Sequence, residues 1–557
     1  MNKKVCSFPI LFALLSLLIG TCAVVFPASA QAAPTPTGSI TVSGTVASSY
    51  DAYQIFSANV VDGDSDAKIA TDLAWASDAV RDAALPVLHS AGMPNSQATA
   101  QEAAEWLNTD SRLTIALSAQ LARSLQSSGA VSMAPLNAGT AAKLSCGYWL
   151  IVADDDAVAQ GEAGTAPIMA LVGGSAVTVK PKAATPKVSK HVLEDSTAAW
   201  QKAADATVAD DLYWRLSATV PAGLAAYDTY TVRFVDTMSA GLDSSKVAAS
   251  MRVYVAAGAD GGFDAVSANK DGRAGTEPAK GWTDITAQCA TKVAADGKTF
   301  TVRTGDLIAA LGGADAFTAG ARVVAVYNAP LNSACNHGIA KGNPNEVYLR
   351  YPRSPFADQS GDAGFTRTPS DDACAYTWDL ALTKRGSDGD KPLAGAVLSI
   401  ADDRGRTLSA DGTWDAEGKA TVTTGEDGRV TVSGVDSGKL EVRELKAPKG
   451  YTAFEGMCSV TVKAEGLDVD QVAAAKPKLT ITAESPLRAD SADGSTGSLE
   501  ASLINTPTGT PPSITTGGFM PSTGDMAMYA AAAAAVAGAA LIVVALLVKR
   551  GGGSHKE

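Results

Sequence analysis

The chain has 557 residues, of which 46% are apolar, 6% aromatic and 18% charged. This is the composition of globular material, long enough for about three or four domains of roughly 150 residues each. The 45 lysines and arginines against 58 aspartates and glutamates leave a formal net charge of −13, which argues against a phosphate-binding or nucleic-acid-binding surface.

Little in the sequence points to a metal or a cofactor, and we expect neither. The four histidines are far apart in the sequence, which gives little support to a His-rich site. The run Asp62–Asp66 looks like the start of a calcium loop, but Ala67 and Leu73 stand where that loop requires Gly and Glu. We interpret this run as a solvated turn.

The N-terminus has the pattern of an export signal. Two lysines precede an apolar run and then Ala28-Ser29-Ala30, which fits the small-x-small rule for signal peptidase. Residues 1–30 are therefore predicted to be removed, and the body of the protein is predicted to lie outside the cell.

Residues 31–182 are predicted to form a first domain of strands with a helical insertion. Alternating residues at 39–46 and 50–56 indicate strands, and apolar residues at spacings of three and four indicate helices over 67–88, 98–107 and 113–125. The pattern returns to strands from Gly147 onward.

Two further β-domains are predicted, at 183–355 and 370–507, separated by a polar stretch from Ser354 to Asp372. Short period-2 runs with Gly, Asp and Asn turns, such as 213–220, 230–236, 322–327 and 346–351, are typical of a sandwich. The fold class is thus predicted as mainly β, with three tandem Ig-like sandwiches.

The C-terminal part reads as a spacer followed by an anchor. Residues 508–519 form a Pro/Thr/Gly stalk that cannot bury a core. Residues 526–548 are uncharged over a length that can cross a bilayer, and Lys549 begins a basic tail, 549–557, typical of the cytoplasmic side. We therefore predict a C-terminal transmembrane helix.

The pentapeptide Met520-Pro-Ser-Thr-Gly524 stands immediately before this segment and resembles a sortase sorting signal, with Met520 where Leu is usual. The resemblance implies that a transpeptidase cuts between Thr523 and Gly524 and transfers the Thr523 carbonyl to an amine.

The third domain contains a lysine that is predicted to be buried. Lys384 alternates with Leu380 and Leu382 on one strand face, and a lone buried ammonium is costly. Glu444, in the string Glu-Leu-Lys-Ala-Pro-Lys-Gly-Tyr, and Asn505, in Ser-Leu-Ile-Asn-Thr-Pro, are its candidate partners.

This trio resembles the Cna protein B-type fold, whose box has Thr where this chain has Leu445. The resemblance implies that Lys384 attacks the side-chain carbonyl of Asn505 and expels ammonia, with Glu444 as the assisting acid. Burial would lower the lysine pKa and raise the carboxyl pKa, which suits both groups to the reaction. The alternative is a surface lysine beside a turn.

The middle domain resembles the isopeptide-forming domain of fimbrial proteins, and the resemblance implies the same roles for Lys190, Asp236 and Asn345. Each shares a strand face with apolar residues. Pro352 and Arg353 replace the Ser-Asn that often ends the last strand in that family. Lys190 lies early in the first strand. The first and last strands of such sandwiches are expected to run side by side in parallel, so an Asn at the same depth lies early in the last strand. We therefore prefer Asn345.

Each such link would close a long loop. By the chain-entropy treatment of disulfides, this would stabilise the folded domain by on the order of 5 kcal/mol. The first domain has no lysine from residue 31 until Lys68, so no crosslink is predicted there.

Lys182, at the end of Ala-Val-Thr-Val-Lys-Pro-Lys, resembles the lysine of the pilin motif Val-Tyr-Pro-Lys. The resemblance implies that its amine joins Thr523 of a neighbouring subunit. A charged linker lysine is the alternative.

Five cysteines remain after signal removal, and an exported protein can form disulfides. Their domain positions suggest Cys289 with Cys335 and Cys374 with Cys458, which leaves Cys146 unpaired.

Together these features resemble the backbone subunit of a sortase-assembled Gram-positive pilus, a structural protein and not a turnover enzyme. The implied partners are identical subunits, pilin and housekeeping sortases, peptidoglycan, minor pilins and host ligands, and the implied location is the cell wall. Two alternatives stay open: a wall-anchored monomeric adhesin and a tethered surface hydrolase.

Overall fold

The computed structural model describes residues 36–64, 67–181, 185–221, 224–258, 281–317 and 320–509. The predicted signal peptide, sorting signal and C-terminal hydrophobic segment lie outside these ranges. Among the described helices, none combines the length and the apolar character needed to cross a membrane.

The first domain packs two sheets and three helices. Strands β5, β1 and β8 form one sheet, and β3, β2, β6 and β7 form the other, with β4 added on β2. The elements, in chain order, are β1 Thr37–Val42, β2 Ser49–Asp62, β3 Lys68–Trp75, α1 Asp78–Ser90, α2 Ala100–Asn108, α3 Ile115–Ser127, β4 Ala134–Asn137, β5 Ala142–Ser145, β6 Gly147–Ala153, β7 Ile168–Val172 and β8 Val177–Val179.

The helical insertion is confirmed, but its predicted start is wrong. Residues 68–75 form strand β3, which pairs antiparallel with β2, and α1 begins only at Asp78. The ring of Trp75 packs against Phe56 on β2, with the ring centroids 4.9 Å apart. Ser77 caps α1 by accepting the backbone N–H of Val80. Pairing with β2 therefore outweighs the helical spacing of this segment.

The second domain is a sandwich of two larger sheets. One has the order β10-β9-β12-β18-β14-β15 and the other β11-β21-β19-β13-β17-β16, with β20 added on β19. The elements are β9 Val188–Glu194, β10 Ala199–Gln201, β11 Ala203–Asp205, β12 Tyr213–Thr219, β13 Arg233–Met238, α4 Val247–Ser250, β14 Arg252–Ala256, β15 Trp282–Asp284, β16 Ala290–Val293, β17 Thr299–Arg303, α5 Leu307–Ala310, β18 Arg322–Asn328, β19 Asn343–Pro352, β20 Phe365–Arg367 and β21 Asp371–Tyr376.

This domain extends beyond its predicted end at 355. Strand β21 pairs antiparallel with β19, from Asn343 opposite Ala375 to Val347 opposite Asp371, and parallel with β11. Residues 371–376, which the sequence places in the third domain, thus complete a sheet of the second. The polar composition of 354–372 reflects an excursion between two strands of one sheet.

The third domain has sheets of order β27-β22-β32-β31 and β25-β24-β23-β28-β29-β30, with β26 added on β23. Its elements are β22 Trp378–Gly386, β23 Val397–Ala401, β24 Thr407–Leu408, β25 Trp414–Asp415, β26 Val422–Thr423, β27 Arg429–Val435, β28 Gly438–Lys446, β29 Cys458–Glu465, β30 Lys478–Ala483, β31 Leu487–Asp493 and β32 Ser498–Asn505. Short 3-10 turns occur at 109–111, 155–157, 224–226, 286–288, 314–316 and 472–474. The prediction of a mainly β chain built of several sandwiches is confirmed.

The first and second domains are joined by polar contacts that centre on Arg123 of α3. Its guanidinium donates to the carbonyl of Ala226 at 2.6 Å, lies 3.1 Å from Asp228 and stacks over the ring of Phe356 at 5.4 Å. The first domain is therefore held against the second by contacts beyond the covalent connection of the chain.

The second and third domains meet across a seam of buried and half-buried polar groups. The buried carboxylate of Asp205 accepts from the indole N–H of Trp378 at 2.7 Å and from the backbone N–H of Ser437 at 3.0 Å. The guanidinium of Arg406 donates two parallel hydrogen bonds, of 2.5 and 2.7 Å, to the carboxylate of Asp210. Planar two-bond pairs of this kind fix geometry as well as energy.

Replacing Arg406 by Ala is expected to loosen this seam by about 1.5–3 kcal/mol, the usual loss for a hydrogen bond to a charged group. The backbone N–H of Val208, which donates to Gly434 across the seam at 2.9 Å, should then exchange faster with solvent. Hydrogen exchange measures this directly. The control is Lys439→Ala, which removes an exposed pair with Glu441. Unchanged exchange at Val208 in the Arg406 variant would contradict the expectation.

Candidate functional site

The first candidate site lies in the core of the third domain, where neighbouring strands place a lysine and an asparagine at one end of a sheet. Strand β22 runs parallel to β32, with Lys384 opposite Leu503 and Gly386 opposite Asn505. Lys384 has 0% exposure and Asn505 has 2%. The predicted parallel pairing of first and last strands is confirmed here.

The carboxylate of Glu444 reaches this pair from β28 in the facing sheet. The Lys384 ammonium donates to the Oδ1 atom of Asn505 and lies 3.2 Å from Oε1 of Glu444. The Asn505 Nδ2 atom donates to the same Oε1 at 2.8 Å. The amine, the amide and the acid that the sequence selects are therefore in mutual contact.

Burial sets the protonation chemistry of this site. Desolvation lowers the pKa of Lys384, and the nearby Glu444 carboxylate partly opposes the shift. A lower pKa makes the neutral, nucleophilic amine easier to reach. The arrangement has the nucleophile, the electrophile and the proton carrier that acyl transfer from an amide to an amine requires.

The substitution of Leu445 for Thr does not disturb the site. Leu445 is 51% exposed and follows Glu444 on the opposite face of the strand. The last residue of the box, Tyr451, pairs with Pro507 just beyond Asn505, and its hydroxyl donates to Asp388 at 2.8 Å. The box thus closes the end of the sandwich where the trio lies.

A second candidate site occupies the core of the second domain. Lys190 on β9, Asp236 on β13 and Asn345 on β19 are each 0% exposed. Asp236 is opposite Val347, and Asn345 is two residues before Val347 on the same strand face. The lysine therefore approaches from one sheet, and the acid and amide lie side by side on the other.

The tyrosine Tyr327 joins these three groups. The Lys190 ammonium contacts the Asp236 carboxylate directly and donates to the Tyr327 hydroxyl at 2.9 Å. That hydroxyl donates to Oδ2 of Asp236 at 3.0 Å and accepts from Nδ2 of Asn345 at 2.8 Å. The three predicted residues are thus brought together, with the amide linked to the other two through Tyr327.

The protonation directions match those expected for an amine nucleophile and an acid. Desolvation lowers the pKa of Lys190 to about 8, although Asp236 opposes the shift. Desolvation also raises the pKa of Asp236, with Lys190 opposing it. Both charged forms are costly in this core, so a neutral amine beside a protonated acid is within reach.

The expectation that the first and last strands of the second domain pair in parallel is wrong, although Asn345 itself lies at the site. Strands β9 and β19 belong to different sheets, and β19 runs antiparallel to both β13 and β21. Depth in the sandwich, not pairing between first and last strands, brings Asn345 to Lys190. Arg353, where the fimbrial family often has Asn, contacts the first domain through the carbonyl of Asp155.

Sequence reasoning missed Tyr327. It counted the segment only as a strand, although Val323, Ala325 and Tyr327 alternate on one buried face. A hydroxyl on an inward-facing position of an otherwise apolar strand is the signal that could have found it, because buried hydroxyls need partners.

The other predicted functional residues have separate outcomes. Lys182, Thr523 and Gly524 lie outside the described residues. Within the described ranges no cluster of His, Cys, Asp and Glu could hold a metal ion.

The predicted disulfides are wrong in this structure, in which the five cysteines of the described residues are all free. Cys374 lies on β21, in a sheet of the second domain, whereas Cys458 lies on β29 of the third. The thiol of Cys289 donates to the carbonyl of Ile285, and Cys335 contacts His337 at 3.5 Å. The shifted domain boundary removes the basis for the Cys374–Cys458 pair.

A family model of known proteins matches part of the third domain. Residues 379–476 match the family model described as SpaA, a prealbumin-like fold domain. The match includes Lys384 and Glu444 and ends before Asn505.

The chain is also similar to a curated protein over part of its length. The trypsin-resistant surface T6 protein of Streptococcus pyogenes serotype M6 is 31% identical over 134 residues, which are 23% of this chain and 23% of that protein. The chain is therefore aligned with about a quarter of this relative. With the SpaA domain, it confirms the predicted resemblance to Gram-positive backbone pilins.

The chain also has a limited similarity to two solved structures. The T6 backbone pilin of serotype M6 S. pyogenes is 16% identical, with 86% of this chain and 100% of that chain covered, at a TM-score of 0.45. The major pilin SpaD of Corynebacterium diphtheriae is 14% identical, with 85% and 98% covered, at a TM-score of 0.41.

Replacing Glu444 by Gln is expected to keep the third domain folded but to prevent reaction between Lys384 and Asn505, because an amide cannot carry the proton. Intact mass spectrometry would then show one more retained ammonia than in the wild type. The matched control is Glu441→Gln on the same strand, whose side chain is 34% exposed. Equal masses for Glu444→Gln and wild type, after allowance for the substitution, would count against the role of Glu444.

Proposed function

We propose that this chain is the structural backbone subunit of a covalently polymerised, cell-wall-anchored pilus, stabilised by two intramolecular Lys–Asn isopeptide bonds. The observation that carries the proposal is the contact of Lys384, Asn505 and Glu444 inside a domain that matches the SpaA prealbumin-like family. A second buried amine–acid–amide set in the preceding domain supports it.

Each bond would form once and without a cofactor. The neutral lysine Nζ attacks the Asn Cγ atom, a new C–N bond forms, and the old amide nitrogen leaves as ammonia. The acid takes a proton from the amine and gives one to the leaving nitrogen. Starting from a neutral amine beside a protonated acid, the acid is therefore protonated again at the end. The chain would therefore be a structural protein that modifies itself, not a turnover enzyme.

Polymerisation would join the C-terminal end of one exported body to a lysine between the first and second domains of the next. A pilin sortase would cut between Thr523 and Gly524 and pass the Thr523 carbonyl to the Lys182 amine of the next subunit. Pro181, immediately before Lys182, has no N–H to donate. The proposal includes a housekeeping sortase that attaches the finished fibre to peptidoglycan, and minor pilins and host ligands as further partners.

The location follows from the same proposal. The signal at 1–30 would export the chain, and the 526–548 segment would hold it in the membrane until the sortase cuts. The subunit would then belong to the wall surface of a Gram-positive bacterium.

Replacing Lys182 by Ala is expected to abolish the ladder of high-mass species in denaturing gels of wall extracts, because the amine that resolves the acyl-enzyme is lost. The matched control is Lys187→Ala, an exposed lysine a few residues away, which should leave the ladder intact. A single wall-linked species in both wild type and variant would instead favour a monomeric adhesin.

A further inference from the structure

The two candidate sites contain the same three kinds of group, an amine, an acid and an amide, but their acids differ in length. In the third domain the Glu444 carboxylate contacts the Asn505 amide nitrogen directly, at 2.8 Å. In the second domain the acid is Asp236, one methylene shorter, and the Asn345 amide nitrogen contacts the Tyr327 hydroxyl instead, also at 2.8 Å. Tyr327 thus makes the contact to the amide nitrogen that the longer carboxylate makes in the third domain.

The hydroxyl of Tyr327 has every hydrogen bond that it can make. It accepts from Lys190 and from Asn345 and donates to Asp236. By contrast, Oδ1 of Asp236 and Oδ1 of Asn345 have no hydrogen-bond partner among the described residues. Among the described residues, the hydrogen-bonded path for a proton between the acid and the amide nitrogen therefore runs through Tyr327.

Packing holds the tyrosine ring in place. Tyr327 is 0% exposed, and its ring meets Phe300 edge to face with the centroids 4.8 Å apart. Its main chain pairs with Trp214 on β12. Burial raises the pKa of Tyr327 well above its ordinary value, so the phenol keeps its proton.

We propose that Tyr327 is a catalytic residue of the second domain, which relays a proton from Asp236 to the departing nitrogen of Asn345. This rests on the proposed Lys190–Asn345 bond and adds a member to that site.

The step balances without any further reagent. With Lys190 as the neutral amine and Asp236 protonated, Nζ of Lys190 bonds to Cγ of Asn345. The Tyr327 proton passes to Nδ2 of Asn345, and the Asp236 proton replaces it on the phenol oxygen. The Cγ–Nδ2 bond then breaks, ammonia leaves, and Nζ gives one proton to Asp236. The products are the amide, ammonia, neutral Tyr327 and protonated Asp236.

The test is Tyr327→Phe in the exported chain from Gln31 to Thr523, which contains all three domains. Proton transfer by a positioned group contributes about 10²–10⁴-fold in rate, so we expect Lys190–Asn345 formation after synthesis to slow by at least about 100-fold. A pulse-labelled time course checks this by mass spectrometry, which counts lost ammonia and identifies the peptide that joins residues 190 and 345.

Two controls separate loss of the hydroxyl from loss of packing. Tyr230→Phe removes a phenol oxygen from the same core, where it has no partner among the described residues, and should crosslink at the wild-type rate. The Lys384–Asn505 link in every molecule provides an internal reference for synthesis and folding. The double variant Asp236→Glu with Tyr327→Phe gives the acid the length that it has in the third domain, so that it can contact the amide directly, and should recover crosslinking.

The outcomes are distinct. Crosslinking of Tyr327→Phe at the wild-type rate, or equal slowing of Tyr327→Phe and Tyr230→Phe, would overturn the relay and leave the proposed function standing. A wild-type chain in which residues 190 and 345 are never joined would overturn the proposed middle-domain bond itself. Slowing confined to Tyr327→Phe, with recovery in the double variant, supports the relay.

Discussion

The burial of two lysine ammonium groups is the constraint on which the cores of the second and third domains depend. Lys190 and Lys384 are both fully enclosed by protein, and an isolated charge in such surroundings is prohibitively costly. Each therefore requires an acid within contact distance, and each acid requires donors of its own. The strands that carry these groups can take only registers that bring the partners to the same depth, so the polar trio fixes the alignment of the apolar residues around it.

The two cores meet this constraint differently. In the third domain the lysine and asparagine lie on adjacent parallel strands of one sheet, and the acid comes from the facing sheet. In the second domain the acid and asparagine share one sheet and the lysine comes from the other. A link in the third domain would tie two neighbours, whereas a link in the second would tie the two layers of the sandwich. The shorter acid and the added tyrosine belong to the second arrangement.

Alternation along single strands was enough to predict that Lys190, Asp236 and Lys384 point inward. Glu444 and Asn505 were instead selected by the sequence strings in which they stand. Alternation cannot say which strands are neighbours, because pairing depends on contacts far apart in the sequence. That is why the parallel premise for Asn345 failed, and why Asp371–Tyr376 was assigned to the wrong domain. The Cys374–Cys458 pairing failed with that boundary. Tyr327 was not predicted as a site residue, because its role depends on contacts with three residues from other strands.

The position of strand β21 has a mechanical consequence for the proposed fibre. Tension would enter the second domain before Lys190 and leave it after Tyr376, so a Lys190–Asn345 bond would carry the load only as far as β19. Strand β21 lies outside that covalent loop. Its attachment depends on pairing with β19 and β11, on the contact of Lys202 with Asp371, and on the bond from the Lys190 N–H to the Asp371 carboxylate.

The third domain differs in this respect, because Lys384 and Asn505 lie on its first and last described strands and a bond between them would enclose nearly the whole sandwich. Under load the short stretch from β19 to β21 is therefore the part of these two domains that a covalent bond would protect least. The antiparallel ladder between β19 and β21 and the ionic contact at Asp371 would have to bear the force there. The dense polar seam with the third domain, immediately beyond Tyr376, stands where it can share that load.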